Sequence, residues 1–281
     1  MVERKGWLTV LTYGVLLAGI AIVFFPVWIT LVASTHTADA VQAVPMPLWP
    51  GDQLVANYRQ VLTAGGGQTS QPVAAMLLNS LVTALVIAFG KIAISLLSAF
   101  ALVYYRFPLR QTCFWLIFVT LMLPVEVRIM PSYQVVADLG LLDSYTGMTL
   151  PLIASATATF LFRQFFLTVP DELAEAAKLD GAGALRFFWS ILMPLSRTNI
   201  AALFVILFIY GWNQYLWPLL VTTSESYNTI VIGIRRLIST GDAGTDWNLV
   251  MATAVLAMLP PVAVVMLMQR WFVKGLIESE K

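Results

Sequence analysis

Long stretches without charged residues constrain this chain more than any other feature. No Asp, Glu, Lys or Arg occurs between Lys5 and Asp39, and five further charge-poor apolar stretches follow within the 281 residues. A helix needs about 20 apolar residues to cross a bilayer, so each stretch is long enough for one crossing. The sequence therefore predicts an all-α, polytopic membrane protein with six transmembrane helices. The predicted spans are Trp7–Ala33, Met76–Tyr105, Thr112–Ala137, Ser144–Phe162, Thr198–Thr222 and Trp247–Gln269.

The composition excludes an ordinary soluble enzyme. Hydrophobic residues make up 59% of the chain and charged residues only 11%, whereas soluble domains contain about 25% charged residues. A net charge of +1 provides no overall field that would attract nucleic acid. We expect one transmembrane domain over residues 1–281, with its core at about 72–274.

Few residues are available for covalent or metal chemistry. Cys113 is the single cysteine and His36 the single histidine, so neither an internal disulfide nor a histidine metal cluster is expected. Gly90-Lys91 is followed by Ile92 and lacks the earlier glycine of a phosphate-binding loop. We therefore predict a chain with no catalytic residue, no metal site and no bound cofactor, which does not hydrolyse ATP by itself.

The distribution of basic residues predicts the orientation. With a cytoplasmic N-terminus, eleven of the 16 basic residues lie on the cytoplasmic side, as the positive-inside rule requires. Both termini would then be cytoplasmic. Two outer loops would cover residues 34–71 and 223–246, and one long inner loop would cover residues 163–197. The first outer loop contains several prolines and a glycine run, so we expect irregular structure there.

The inner loop has the signals of two short helices around a tight turn. Thr168, Pro170 and the acidic residues that follow are typical of a helix start, and Gly181 or Gly183 can end that helix. The predicted first helix runs from about Pro170 to Leu179. A second segment, Ala184 to Met193, ends at Pro194 and has apolar residues at helical spacing.

This loop resembles the signature loop of the integral membrane permease subunits of ATP-binding-cassette importers. The family pattern is Glu-Ala-Ala, three residues, Gly, nine residues, Ile, one residue, Leu-Pro. The chain has Met193 where Leu is usual, a change that nearly conserves volume. The matching residues are Glu175, Ala176, Ala177, Gly181, Ile191 and Pro194.

The resemblance implies that the loop couples the membrane domain to a separate ATPase. Glu175 would offer a carboxylate to a basic group of that ATPase. The alternative is a solvated amphipathic loop without a partner. The implied partners are a second, different permease subunit, two ATP-binding subunits that hold ATP and Mg, and an extracytoplasmic solute-binding protein, all at a bacterial inner membrane. The expected coupling residues are Glu175, Ala176, Ala177, Asp180, Gly181, Arg186, Phe187 and Pro194.

The resemblance extends over about residues 76–274 and is strongest to importers of glycerol phosphate. It implies sn-glycerol 3-phosphate and related glycerophosphodiesters as solutes, with another sugar or polyol as the alternative. A transporter driven by an ion gradient is a rival, but such proteins usually have inverted repeats and intramembrane acids. Only Glu126 is an acid well inside a span, no repeat is evident, and no catalytic constellation favours a membrane enzyme.

Two basic residues fall within the predicted spans. Lys91 shares one face of the second span with several Ser and Thr residues, and Arg128 follows Pro124 in the third span. Charged groups inside a span usually face the bundle interior or a water-filled path. Each could therefore line the solute path, and Arg128 suits an anionic solute. A packing role is the favoured alternative for both residues.

The fifth span has a polar and aromatic face that is our main candidate for the solute path. Tyr210, Asn213, Gln214 and Trp217 are spaced i, i+3, i+4 and i+7. Aromatic rings stack on the C–H groups of a polyol, and amides exchange hydrogen bonds with its hydroxyls. The alternative is an aromatic belt at the membrane surface, which Trp217 fits and Asn213 does not.

Overall fold

The computed structural model describes residues 6–65, 71–120, 125–238 and 244–278, and the predicted all-α fold is confirmed there. No strand occurs in these ranges. The α-helices are α1 (Gly6–Ala33), α2 (Ala38–Gln42), α3 (Leu54–Ala64), α4 (Val73–Tyr104), α5 (Arg110–Val119), α6 (Val125–Asp138), α7 (Tyr145–Thr149), α8 (Ala156–Thr168), α9 (Asp171–Leu179), α10 (Ala184–Phe187), α11 (Met193–Leu195), α12 (Arg197–Trp212), α13 (Leu216–Val221), α14 (Ile230–Leu237) and α15 (Trp247–Glu278).

Three helices are long and apolar enough to cross a membrane alone, and they match the first, second and sixth predicted spans. They cover Trp7–Ala33, Val73–Tyr104 and Trp247–Arg270. Two bent helix pairs raise the number of candidate spans among the described residues to five. The third predicted span includes residues 121–124, which lie outside the described residues.

Proline and serine residues divide the fourth and fifth predicted spans, which we expected to be continuous. In the fourth, a 48° bend separates Tyr145–Leu152 from Ala156–Thr168, and the Ser155 side chain caps the new helix by accepting from the Ala158 N–H at 3.3 Å. In the fifth, α12 ends at Trp212 and α13 begins at Leu216. A continuous helix is disfavoured because the Pro218 ring would clash with the carbonyl of residue 214.

One compact unit comprises residues 1–75 and 233–259. The outer loop at 34–71 belongs to it, and our expectation of irregular structure there was wrong because the loop contains α2 and α3. Asn57 of α3 is buried, and its side-chain amide N–H groups donate to the backbone carbonyls of Ser34 and His36 at 2.9 and 2.8 Å. The Asn57 side-chain oxygen accepts from the Asn248 side-chain amide at 3.0 Å. These bonds fold the loop against the start of α15.

The second compact unit comprises residues 76–232 and 260–281. Its apolar core joins α4, α6, α7 and α13 through Ile87, Val136, Met148, Trp217 and Val221. The buried Trp217 indole N–H donates to the carbonyl of Gly147 at 3.1 Å, so the ring is fixed by a polar contact as well as by packing. This core supports the middle of α4, where Lys91 lies.

Candidate functional site

Residues 171–195 form a helical hairpin, hereafter the motif hairpin, whose first arm is α9. The turn after α9 has two characteristic bonds: the Gly181 N–H donates to the Lys178 carbonyl at 3.0 Å, and the Ala182 N–H donates to the Ala177 carbonyl at 2.8 Å. This is the Schellman pattern, which needs a left-handed residue. Gly181 supplies it with φ of 72°, whereas Gly183 has an ordinary φ of −69°. The structure thus selects Gly181 as the helix-ending glycine.

The second arm of the motif hairpin is anchored by aromatic residues at its base. It runs through α10, a π-helical stretch at Phe188–Leu192 and α11. Phe187 packs edge-on against Tyr104 with ring centroids 5.2 Å apart, and Phe188 lies 4.9 Å from Phe100. Tyr104 and Phe100 belong to the last turns of α4, so the base of the hairpin is fixed to the end of a predicted span.

Most of the expected coupling residues are on the free surface of the motif hairpin, but two are not. Glu175, Ala176, Asp180, Gly181 and Arg186 are exposed. Ala177 and Phe187 are only 5% and 6% exposed, so these two expected coupling residues do not lie on the free surface of the hairpin. Both side chains face the protein and support the hairpin from inside. Pro194 is half-buried and lines an apolar cavity of about 620 Å³.

Two exposed leucines of the motif hairpin were not predicted as functional. Leu179 ends α9 and is 90% exposed, and Leu185 in α10 is 67% exposed. Burying such a side chain fully is worth about 1.5–3 kcal/mol, so both are suited to contact with a partner. The family pattern does not specify these two positions. Leu185 is spaced i, i+3 from Phe188, yet Leu185 is exposed and Phe188 is buried.

Lys91 lies near the middle of α4 and contacts the ring of Tyr210. Its side chain is 7% exposed, and Nζ is 3.7 Å from the ring centroid. A desolvated cation–π contact is worth about 2 kcal/mol, while the effective cost of burying an unpaired ion is several kcal/mol. The aromatic ring therefore offsets only part of the cost of placing Lys91 there.

Arg128 is in the first turn of α6. It is exposed and lines a cavity of about 420 Å³ together with Ser132, one helical turn further along α6. The side chain of Glu126 lies outside the described residues. The structure thus brings Lys91 into contact with Tyr210, although the sequence placed them on separate spans.

The predicted polar face at Tyr210 is interrupted. Asn213 caps the end of α12 and is exposed, Gln214 is half-buried, and its side-chain N–H donates to the Tyr210 carbonyl at 3.1 Å. Trp217 is on the next helix and is buried, so it is a core residue. The expectation of one continuous face through Trp217 was therefore wrong. Tyr210, Asn213 and Gln214 stay together at the break.

An all-helical fold with long apolar helices and a hairpin that has this signature is typical of an importer permease. The chain belongs to the family described as "Binding-protein-dependent transport system inner membrane component", whose sequence model matches residues 91–278. It is accordingly a membrane transport permease subunit.

Similar proteins agree with this assignment over the full length. The chain is 58% identical to the "sn-glycerol-3-phosphate transport system permease protein UgpE" of Yersinia enterocolitica, with 100% of both chains covered. It is 59% identical to the protein of the same name from Agrobacterium fabrum, again with 100% of both chains covered. A solved bacterial ABC transporter "involved in the import of the acidic polysaccharide alginate" has a chain with the same fold. That match has a TM-score of 0.82 at 19% identity and covers 97% of this chain and 99% of the other.

Proposed function

We propose that this chain forms half of the translocation pathway of an ATP-driven importer for sn-glycerol 3-phosphate and related glycerophosphodiesters. The observation that carries the proposal is the end-to-end similarity to proteins named for sn-glycerol-3-phosphate transport. The basic residues Lys91 and Arg128, each within a predicted span, support it because a phosphorylated solute is anionic.

The proposed complex contains a second, different permease subunit, two ATP-binding subunits and an extracytoplasmic solute-binding protein. ATP and Mg bind to the ATP-binding subunits, and this chain performs no covalent chemistry. Residues 1–281 act as one transmembrane domain in the bacterial inner membrane, with both termini and the motif hairpin in the cytoplasm.

The motif hairpin transmits the movement of the ATP-binding subunits. Its docking surface comprises Glu175, Ala176, Asp180 and Arg186, together with the exposed Leu179 and Leu185. Glu175 offers a charged acceptor, and the leucines offer apolar area. When ATP draws its subunits together, the hairpin moves with them and the helix bundle changes from inward-facing to outward-facing.

A sugar or polyol of the same importer class is the second candidate solute. Tyr210, Asn213 and Gln214 favour it, since a ring and two amides at a helix break suit hydroxyl groups. Competition of unlabelled polyols against labelled sn-glycerol 3-phosphate distinguishes the two solutes. Uptake that requires ATP and persists after collapse of the proton gradient excludes a transporter driven by that gradient.

Proteoliposomes that contain the whole importer test the proposal. We expect ATP-dependent uptake of sn-glycerol 3-phosphate in the wild type and a loss of at least about tenfold in the double variant Glu175→Lys with Gly181→Val. The loss follows because the variant reverses a docking charge and places a β-branched residue at a left-handed φ.

Gly183→Val is the matched control, since Gly183 has an ordinary φ and a Cβ at this position would have open space around it. It should keep most of the uptake. Undiminished uptake in the double variant would refute the coupling role of the motif hairpin. Absence of uptake in the wild type would refute sn-glycerol 3-phosphate as the solute.

A further inference from the structure

The apolar cavity of about 620 Å³ lies at a sharp bend between the motif hairpin and α12. The helical segments Ala184–Leu195 and Arg197–Trp212 meet there at 72°, and residues of both segments line the cavity. Its volume is within the usual range of small-molecule sites. The lining residues from the two segments are Trp189, Met193, Pro194, Arg197, Ile200, Ala201 and Phe204.

The helix α4 provides another wall of this cavity. Phe89 and Ile92 line it and are spaced i, i+3, so they lie on one face of α4. The Phe89 ring is 5.2 Å from the Phe204 ring of α12, measured between centroids, and Phe89 is 59% exposed. All three residues belong to the second compact unit. The cavity is therefore open, and two aromatic rings meet at its α4 side.

The cavity is charged at one end and apolar at the other. Of the described residues that line it, Arg197 alone is charged, and its side chain is exposed. Ile200, Ala201 and Phe204 follow Arg197 at i+3, i+4 and i+7, so they share its face of α12. Phe204 lies about 10 Å further along the helix axis. A phospholipid has the same polarity, with a phosphate at one end and acyl chains at the other.

The charged end of the cavity corresponds to the predicted membrane surface. Arg197 is the last residue of the predicted inner loop, and the fifth predicted span begins at Thr198. Trp189 on the hairpin side of the bend is 62% exposed, and tryptophan is enriched at membrane–water interfaces. Trp189 belongs to the π-helical stretch Phe188–Leu192, and such stretches are frequent at functional sites.

We propose that this cavity binds an anionic phospholipid of the cytoplasmic leaflet. The Arg197 guanidinium donates two parallel hydrogen bonds to the lipid phosphate, and an acyl chain lies along α12 toward Phe89 and Phe204. Basic pockets between helices on the cytoplasmic side of membrane proteins bind anionic head groups in this way. The inference takes from the proposed function only the cytoplasmic side of the motif hairpin.

An apolar helix of the second permease subunit is the alternative occupant. Such a helix fits the walls at Phe89 and Phe204, but it would take the Arg197 charge out of water without compensating it. A phospholipid satisfies both ends of the cavity. Because the cavity has walls from the motif hairpin, α4 and α12, the bound lipid contacts the hairpin and two predicted spans together.

Photocrosslinking in the complete importer identifies the occupant. The importer, with a photoreactive benzoylphenylalanine in place of Phe204, is reconstituted into vesicles of phosphatidylcholine and phosphatidylglycerol in equal amounts. After irradiation, the lipids and subunits attached to this chain are identified by mass spectrometry. The control probe replaces Ile22 of α1, which is 73% exposed within the first predicted span and reports general contact with lipid.

We expect the probe at position 204 to attach phosphatidylglycerol about fivefold more often than phosphatidylcholine, since one basic residue favours an anionic head group by about that factor. The probe at position 22 should attach both lipids equally. Arg197→Gln should bring the ratio at position 204 close to one, and Arg197→Lys should keep part of the preference. Arg110→Gln, at an exposed arginine at the start of α5, should leave the ratio unchanged.

Several outcomes would overturn the lipid site. They are equal attachment of both lipids at position 204, a preference that survives Arg197→Gln, attachment to another subunit, and absence of attachment while position 22 reacts. If Arg197→Gln does not assemble, the ratio at position 204 against that at position 22 decides alone. Uptake of sn-glycerol 3-phosphate is measured in the same vesicles. Uptake without the lipid preference sinks only the lipid site, and the preference without uptake sinks only the proposed function.

Discussion

At the scale of single residues, Asp143 shows how one carboxylate can fix a turn. Asp143 has a left-handed backbone with φ of 52° and accepts from the backbone N–H groups of Thr223 and Ser224 at 2.6 and 2.8 Å. The Thr223 hydroxyl donates to the other carboxylate oxygen of Asp143. The Ser224 N–H and the Thr223 hydroxyl hold the pKa of Asp143 below its usual range. The carboxylate thereby ties the turn before α7 to the segment after α13.

The sign of the shift gives a pH prediction for Asp143→Asn. Asparagine tolerates the left-handed backbone, so the variant removes the charge with little strain. We expect faster hydrogen exchange of the Thr223 and Ser224 amides in the variant above about pH 4, where the wild-type carboxylate is charged in both folded and unfolded chains.

The difference should shrink as the pH falls through the lowered pKa of Asp143, because protonation removes the charged acceptor from the wild type. Asp52→Asn, at an exposed carboxylate bonded to its neighbour Gln53, is the control. Equal exchange in wild type and Asp143→Asn at neutral pH would contradict this account.

Sequence reasoning located the charged residues better than their neighbours. The length of each apolar stretch placed Lys91 and Arg128 inside spans, because charges interrupt such stretches visibly. The contact of Lys91 with Tyr210 depends on how α4 and α12 pack, and one sequence contains no information about that contact. Phe187 was misplaced for a similar reason, since its burial comes from Tyr104 of another helix.

At the scale of helices, α4 and α12 approach each other very closely at Gly211. A Cβ on Gly211 would lie 2.9 Å from the Ala84 Cα and 3.2 Å from the Ala84 carbonyl oxygen, which are backbone atoms that cannot rotate away. Glycine at such a crossing lets two backbones pack directly against each other, as small residues do in membrane helices.

Gly211→Ala should therefore destabilise the protein by about 1–3 kcal/mol, since overpacking forces the helices apart. The midpoint of thermal unfolding in detergent should fall by about 2–4 °C per kcal/mol. Gly14→Ala is the control: Gly14 is in α1 and a Cβ there has open space, so the midpoint should stay or rise. A midpoint unchanged by Gly211→Ala would show that the crossing can relax.

The sequence was sufficient to predict that the long helices exist, but not where helices are interrupted. Apolar length predicted α1, α4 and α15, and capping signals predicted α9 to within about one residue. Breaks at residues 153–155 and 213–215 depend on local competition between proline, capping side chains and continued hydrogen bonding. The break in the fifth predicted span also removed Trp217 from the expected polar face.

At the scale of the whole molecule, sidedness is the property on which the proposed coupling depends. The motif hairpin and α3 are expected on opposite sides of the membrane, since residues 163–197 and 34–71 are assigned to inner and outer loops by the positive-inside rule. Ala184 of the motif hairpin and Ala56 of α3 are both exposed, so each position accepts a small substitution.

Cysteine labelling tests this orientation, because Cys113 is the only cysteine to remove first. In a Cys113→Ser background, we expect Ala56→Cys to react with a membrane-impermeant maleimide in intact spheroplasts. Ala184→Cys should react only after the membrane is disrupted. The reverse pattern would place the motif hairpin outside and invalidate the coupling mechanism.

The helix α4 links two features of this protein at a distance. It is one uninterrupted helix of 32 residues, about 48 Å long. Near its C-terminal end, Phe100 and Tyr104 pack against the base of the motif hairpin. Lys91 lies 13 residues before Tyr104, near the centre of the helix. A stiff rod that is pushed at one end must tilt or turn along its whole length. A displacement of the motif hairpin would therefore also move Lys91 and its contact with the Tyr210 ring.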